Sequence, residues 1–590
     1  MMKHFLLRFC VVFSTFLLAF SALAHGVLAA DYEPDYGTEN NVAEANNGMV
    51  VSAHPLASEV GLDILASDGN AIDAAIAMQF ALNVTEPMMS GMGGGGFMMV
   101  HDGQTGETSI ITSRERAPDG ATPDMFLDED GEPIPFEERV MQGTSVGVPG
   151  TLKGLETAHN TWGTMEMPQL IEPAINIAKD GFPIDEVLAS SIEESQEKLM
   201  ESAAGEVFFD EGQPLAEGDT LVQEDLAHTL QLISDNGIDY FYNSEIAEAL
   251  ASTVREFGGS MEKEDLMNYD VTVDEPVWGT FKGYDIATMP PPSSGGVFLL
   301  QMLGILDGFD LSQYDTKSWE KYHLLAETMH LSYADRAEYA GDPEFVNVPI
   351  EGLLHPDYLQ ERRDMISLDG VNENPEAGSP FDYQNGMVDY DSAEQPGDGV
   401  DGQTTHFTVA DQYGNVVSYT TTIEQVFGSG IMVPGYGFML NNELTDFDAE
   451  PGGANEVQPN KRPLSSMTPT IVFNNGQPML TVGSPGGQTI ITSVLQNIIN
   501  TFEYEMELQP AIEEPRIFTN AMDSYTYEEG VPSEVIDHLN GMGHNFESEP
   551  ETLGNVNSIL IDQEMGTFKG VADTSRKGAA FGLEPAATGN

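Results

Sequence analysis

The sequence predicts a mixed fold of helices and strands, and three observations carry that expectation. Helical periodicity recurs through the first two-thirds of the chain, and short alternating strands joined by tight turns occupy much of the last third. Apolar residues make up 41% of the 590 residues, enough for a large core. In chain order, Lys3 and Arg8 precede an apolar run from Phe9 to Ala24, with small-residue cleavage sites at Ala22-Leu23-Ala24 and Val27-Leu28-Ala29. This is the pattern of a secretory signal peptide ending near residue 30. Leu56 to Leu65 reads as an amphipathic helix and Asn70 to Asn83 as a more apolar one. The run Gly93-Gly94-Gly95-Gly96 lets backbone approach backbone and lacks the spacing of a phosphate loop. Met167 to Lys179, Val187 to Met200, Gln223 to Asp235 and Trp319 to Tyr339 carry helical periodicity. From Gly370 to Gln403 the chain is acidic, holds Pro375, Pro380 and Pro396, and has no periodicity, as expected of an exposed, cleavable linker. Behind it, Phe407 and Val409 alternate with polar neighbours, and Gly414-Asn415 leads into a strand from Val416 to Thr420. Thr470 to Phe473 and Met479 to Val482 form a hairpin around Asn474-Asn475-Gly476. Gln488 to Glu503 reads as a helix, and Ser558 to Ile561 with Thr567 to Ala572 as a late hairpin. No internal repeat is present.

Composition narrows the function. The chain carries 96 Asp and Glu against 22 Lys and Arg, a net charge of −74. Nucleic acid and anionic membrane would be repelled, so neither is expected as a partner. A disordered polyanion would not keep so much apolar content, so the charge forms the skin of a folded protein. Such a skin fits a protein adapted to salt: at about 1 M the Debye length falls to about 3 Å, which screens self-repulsion. Cys10, inside the leader, is the sole cysteine, so the mature chain has no disulfide chemistry. No later apolar stretch reaches the roughly 20 residues of a membrane-spanning helix, and the expected location is extracellular or periplasmic.

The most informative stretch is Gln403-Thr404-Thr405-His406-Phe407, a threonine pair opening a strand directly behind the linker. One reading is a surface loop before an ordinary strand. The other is a cleavage site. A threonine freed at its amino end carries its own base, because an α-amino group titrates near roughly 7.7–8.0. The Thr404 hydroxyl held beside the Gln403 carbonyl would gain proximity worth roughly 7–11 kcal/mol at best, enough to drive self-cleavage through an ester.

Four further motifs favour the second reading. Thr404 to Asp411 with Leu440-Asn441-Asn442-Glu443-Leu444-Thr445-Asp446-Phe447, Pro459 to Pro469, and Gly483-Ser484-Pro485-Gly486-Gly487 together resemble a gamma-glutamyltransferase (gamma-glutamyltranspeptidase). Upstream, Gly93 to Phe97, Ser113-Arg114-Glu115-Arg116-Ala117-Pro118 and Met289 to Gly296 are similar to that family's larger subunit, and the resemblance covers about Gly48 to Leu583. It implies the α+β, αββα four-layer sandwich of the N-terminal nucleophile hydrolases, built from two subunits of one precursor. A large subunit, 31–403, would pair as a heterodimer with a small one, 404–590, after cleavage between Gln403 and Thr404. Thr404 would be the nucleophile, Thr422 would orient its amino group, and the backbone N–H groups of Gly486 and Gly487 would stabilise the oxyanion. Arg114, with Ser465 and Ser466, would hold the α-carboxylate of a γ-glutamyl donor, while Glu424, Glu443 and Asp446 would hold its α-ammonium. Donors would be glutathione, glutamine or a glutamyl polymer, and acceptors water, amino acids or peptides, with no cofactor and no metal. The segment from Phe447 to Gln458 is short and has no aromatic residue beyond Phe447, as in lid-less members with an open cleft.

Two competing readings remain. A cephalosporin or glutaryl acylase of the same fold would share the self-cleavage but would not need Arg114 opposite Glu443 and Asp446. A catalytically silent, acidic binding protein would stay uncut. Ser195-Gln196-Glu197-Lys198 fits an S-x-x-K pattern, yet its Glu-rich setting reads as surface. No H-E-x-x-H occurs, and His323 with His330 reads as one face of a helix.

Overall fold

A computed structural model of the chain describes residues 40–387 and 403–584. The expected signal peptide, Cys10 and the second half of the linker lie outside the described residues. Two seven-stranded sheets form the centre. One runs, in spatial order, Val42–Ala45, Thr567–Ala572, Asn557–Asp562, Gln477–Gly483, Thr470–Asn474, Tyr284–Thr288 and Val277–Phe281. The other runs Ala579–Leu583, Gly48–Ser52, Thr404–Asp411, Val416–Thr422, Gly95–His101, Thr108–Thr112 and Thr272–Asp274. Each sheet therefore combines strands from both sides of the expected cut.

Side-chain alternation explains the layering. In Gly48–Ser52, Met49 and Val51 enter the core between the sheets with Phe97, Ile471 and Ile559, whereas Val50 turns outward into a helix-packed core. Phe407 and Val409 face the same outer layer, among residues of helices Pro55–Ala66 and Ala71–Thr85. On the other side, Val472, Leu480 and Val482 pack under helices Gly295–Leu306, Trp319–Tyr339 and Thr489–Phe502. The order is helix, sheet, sheet, helix, as the resemblance implied. No helix among the described residues is long and apolar enough to cross a membrane.

Most expected elements appear within a residue or two. The helix Trp319–Tyr339 begins where expected because the Ser318 side chain accepts from the Lys321 amide and caps its first turn. Two expectations need correction. The run from Val187 to Met200 is not one helix: Glu186–Glu194 ends at Ser195, and Gln196–Leu199 starts anew. Nor is the linker exposed throughout. Gly378 donates its amide to Asp335 and accepts from the Tyr339 hydroxyl, Pro380 is buried, and Phe381 and Tyr383 pack beside Tyr339 and Tyr358. Its aromatic and proline residues thus bury apolar surface although the stretch lacks periodicity.

Candidate active site

Thr404 opens the third of seven strands in its sheet, paired on one side with the strand Val416–Thr422, while the strand Gly48–Ser52 on the other side pairs only from Thr408 onward. In the first of these pairings Thr404 lies opposite Thr422, and Thr422 lies opposite Gly95. A Cβ on Gly94 would overlap the Thr422 carbonyl oxygen, and one on Gly93 would overlap the Met439 carbonyl. The glycine run is what allows three backbones to meet beneath the threonines.

In the uncut chain these groups form a directed hydrogen-bond relay. The Thr404 hydroxyl donates to Thr422 Oγ at 3.2 Å. The Thr422 hydroxyl donates to the Gln403 carbonyl at 2.9 Å and accepts from the Glu424 amide at 2.8 Å. The Gln403 carbonyl belongs to the peptide bond expected to break. Arg576, from the far end of the chain, braces the residues on either side of that bond, donating to the Thr404 carbonyl at 2.8 Å and to the Gln403 side chain at 3.0 Å.

Thr404 and Thr422 line a cavity of about 190 Å³ together with Arg114, Glu424, Glu443, Asp446, Ser465, Ser466 and Gly487. Gln403 and Gly486 are not part of its lining. Gly486 and Gly487 both take positive φ, 124° and 54°, just before the helix Thr489–Phe502. The segment from Phe447 to Gln458 contributes Asp448 and Asn455 but no aromatic side chain, because Phe447, Ala449 and Val457 turn away to pack on Ala117 and Phe126.

The charges are arranged around Arg114. Its guanidinium is buried, paired with Glu443 and Asp446, and donates to the Pro463 carbonyl at 3.3 Å and the Leu464 carbonyl at 2.7 Å. Glu443 is 1% exposed, whereas the Asp446 side chain is 36% exposed. Asp446 is therefore the partner that can leave. The planar fork of arginine meets a carboxylate at two points, and an incoming carboxylate can take the N–H groups that Asp446 gives up. Ser466 accepts from Arg336 at 3.1 Å, and Ser465 Oγ accepts from the Met467 amide at 3.1 Å.

Glu424 is buried at positive φ, 79°, and its Oε2 has no hydrogen-bond partner. Burial first, and the nearby Asp446 charge second, push its carboxyl up to about 8. Lys198 opposes this from the far side. It was expected at the surface, but its ammonium donates to the Val426 carbonyl and, at 3.0 Å, to the Gly428 carbonyl, bracing the loop that carries Glu424. Ser195 is buried too. Besides Lys198 and Arg576, sequence reasoning missed Tyr333, Arg336 and Asn520 in the cavity wall. No local pattern marks them, because they come from segments that approach only in the folded chain.

The sequence model described as Gamma-glutamyltranspeptidase matches residues 57–583. The chain belongs to the gamma-glutamyltranspeptidase family. It is 67% identical over 548 residues to the glutathione hydrolase proenzyme of Bacillus subtilis, covering 93% of each chain. It is 37% identical over 544 residues to the acylase ACY 1 proenzyme of a Pseudomonas strain, covering 91% of this chain and 94% of that one. Among solved structures, cephalosporin acylase from Bacillus halodurans superimposes with a TM-score of 0.83 at 27% identity, covering 95% of this chain and all of that one. The αββα architecture is thus that of the N-terminal nucleophile hydrolases. Proenzyme relatives of this family imply a precursor processed into two subunits.

Proposed function

We propose that this chain is an exported, self-processing γ-glutamyltransferase and glutathione hydrolase with Thr404 as nucleophile. The observation that carries the reading is the relay from the Thr404 hydroxyl through Thr422 to the Gln403 carbonyl, at the wall of the cavity that holds Arg114 with Glu443 and Asp446. In processing, Thr404 Oγ attacks the Gln403 carbonyl carbon. Its proton passes to Thr422 as Thr422 gives its own to the developing oxyanion. Collapse passes that proton to the departing nitrogen as the Gln403–Thr404 C–N bond breaks, leaving an ester on Oγ and a free amine on Thr404. Water hydrolyses that ester, releasing a carboxylate on Gln403 and restoring the Thr404 hydroxyl.

The freed amine then serves as base for the same oxygen. A donor's α-carboxylate displaces Asp446 from Arg114 with support from Ser465 and Ser466, and its α-ammonium lies among Glu424, Glu443 and Asp446. Thr404 attacks the γ-carbonyl, the Gly486 and Gly487 amides receive the oxyanion, and the leaving amine takes a proton. The γ-glutamyl ester passes to water or to the amine of an amino acid or peptide. An open cleft without an aromatic lid fits donors as large as glutamyl polymers.

The acylase reading is weaker. A glutaryl or adipyl group lacks the α-ammonium that Glu424, Glu443 and Asp446 would meet, and the identity to the acylase proenzyme is 37% against 67% to the glutathione hydrolase. The test is N-terminal sequencing beside a γ-glutamyl-p-nitroanilide assay and a glutaryl-amide assay. The expected result is a small subunit beginning at Thr404, γ-glutamyl turnover at least tenfold above glutaryl turnover, and loss of both cleavage and activity in Thr404→Ala. An uncut active chain, or faster glutaryl turnover, refutes the reading. An uncut, inactive chain would instead mark a binding protein.

The leader supports export, and the net charge of −74 supports function in salt. Thermal stability and activity should both rise from dilute buffer to molar NaCl. Equal values in the two would refute the salt adaptation.

A further inference from the structure

Away from the cavity, one face of the helix Trp319–Tyr339 carries His323, Glu327 and His330, at i, i+4 and i+7, all buried, and His544 approaches them from beyond the helix Ser533–Met542. Ligand atoms of His323, Glu327 and His544 all lie within 4.8 Å of one another. His323 Nδ1 is 2.8 Å from His544 Nε2, and His330 Nδ1 is 3.8 Å from Glu327 Oε1.

The outer hydrogen bonds settle what these atoms present to each other. His323 Nε2 lies 2.9 Å from the Ser367 carbonyl, which can only accept, so that nitrogen carries the proton and Nδ1 offers a lone pair. His330 Nε2 lies 2.9 Å from Thr519 Oγ, whose own proton goes to the Ala521 carbonyl, so His330 Nε2 must donate and its Nδ1 also offers a lone pair. Glu327 Oε2 accepts from the Asn372 amide, while Oε1 is buried without a hydrogen-bond partner, as is His330 Nδ1. His323 Nδ1 and Glu327 therefore present acceptors close to His544 Nε2, the one member that can bring a proton, and His330 Nδ1 presents a third beside Glu327. Buried acceptors without donors are costly, and a cation resolves the deficit.

We propose that His323, Glu327 and His544 form a binding site for a divalent transition-metal ion of the zinc class, with His330 beside Glu327 at its edge. Two imidazoles and one carboxylate with an open fourth position suit such an ion, and the outward N–H of His323 to the Ser367 carbonyl is the kind of bond that orients a metal-bound histidine. In a tetrahedral site with bonds of about 2.0–2.1 Å the ligand atoms stand about 3.4 Å apart. The 2.8 Å between His323 Nδ1 and His544 Nε2 and the 4.8 Å limit on the group bracket that spacing. On binding, the His544 proton moves to Nδ1, where the Tyr525 hydroxyl oxygen, 3.3 Å away, accepts it.

The site has a structural consequence that rests on the proposed cleavage. His323, Glu327 and His330 precede Thr404 and His544 follows it, so the ion would join the two subunits once the chain is cut. The same helix carries Tyr333 and Arg336 in the active cavity, and Thr519 neighbours Asn520 and Ala521 in its wall. The ion would thus pin that wall.

The experiment produces the untagged chain in medium with Co(II) in place of Zn(II) and purifies it in 1 M NaCl with an EDTA wash to strip ions held loosely by surface carboxylates. The expected result is one tightly held cobalt per chain, visible bands of four-coordinate intensity, and X-ray absorption showing imidazole ligands at about 2.0 Å. Glu327→Gln and His544→Gln should each lose the ion. Wild type retaining no stoichiometric metal, or an all-oxygen ligand shell, overturns the site without depending on whether either variant folds. Retention of an unchanged spectrum in the double variant overturns it as well. Metal content measured on the Thr404→Ala chain separates the site from the processing mechanism: cobalt there, without cleavage, supports the site independently of the cut.

Discussion

Replacing Thr422 by alanine isolates the self-processing step. The Thr422 side chain is 2% exposed and makes three hydrogen bonds, from Thr404 Oγ, from the Glu424 amide and to the Gln403 carbonyl. The last bond strengthens as the carbonyl oxygen becomes an anion. Removing one such donor from other oxyanion sites costs about 10²–10³ in rate, or about 2.7–4 kcal/mol. The first bond gives the nucleophile's proton somewhere to go, so the rate should fall by at least that factor. The orphaned Glu424 amide also loses its partner, at about 1–3 kcal/mol of stability. The assay follows conversion of purified precursor into two bands by denaturing electrophoresis, with circular dichroism as a control for folding. Thr422→Ser keeps the hydroxyl and should process within about tenfold of wild type, whereas Thr422→Ala should be slower by about 10²–10³-fold. Thr422→Ala processing within a factor of about three of wild type would refute the relay.

Three other outcomes follow from the same geometry. Arg114→Lys replaces a planar fork by a point charge, so KM for γ-glutamyl-p-nitroanilide should rise by about 10–100-fold with a smaller change in kcat, as steady-state kinetics would record. The raised Glu424 carboxyl holds a proton in the folded state, between its ordinary 4.5 and about 8, that the unfolded chain has already lost. Its contribution to stability is therefore fully present below pH 4.5 and fades as pH rises toward 8. An α-ammonium arriving beside it reverses that shift, so binding of an unreactive γ-glutamyl analogue near pH 7 should release a proton. Calorimetry in two buffers of different ionisation enthalpy would detect the proton, and Glu424→Gln should remove it. Gly94→Ala forces a methyl into the Thr422 carbonyl and should slow processing and lower the thermal midpoint, since backbone cannot yield as a side chain does.

How much of this was legible in the sequence depends on how far each feature reaches along the chain. The hairpin Thr470–Asn474 with Gln477–Gly483 was legible because its turn residues and its alternation are local, and the helix Trp319–Tyr339 because Ser318 caps it. The facing of Thr404 and Thr422 was half visible. Two strands around Gly414-Asn415 were expected, but pairing residues 18 apart depends on the register of the whole hairpin. The cavity residues named from motifs converge because the motifs lie at the ends of adjacent strands and in the loops that follow them. Lys198, Arg336 and Arg576 carry no such signal: each is a single cation whose role is set by a partner more than a hundred residues away. The helical run through Ser195 misled for a related reason. Periodicity records which face is apolar, and it continues across a break in which Lys198 turns its ammonium to the Val426 and Gly428 carbonyls.

The electrostatic design of the site follows from the same scarcity of cations. With 22 basic residues against 96 acidic ones, a surface arginine would find acids everywhere, so spacing alone could not single out Arg114. What distinguishes it is burial. Water and salt screen the acidic skin, but a guanidinium with 1% exposure is screened little, and its pairing with the equally buried Glu443 is correspondingly strong. Under the proposed salt adaptation, charge-based recognition of a small zwitterion would persist because the recognising guanidinium and Glu443 lie beneath the surface. Substrate affinity should therefore depend far less on NaCl concentration than folding stability does. A KM that rises in parallel with salt, as a screened surface site would require, would contradict this assignment of roles.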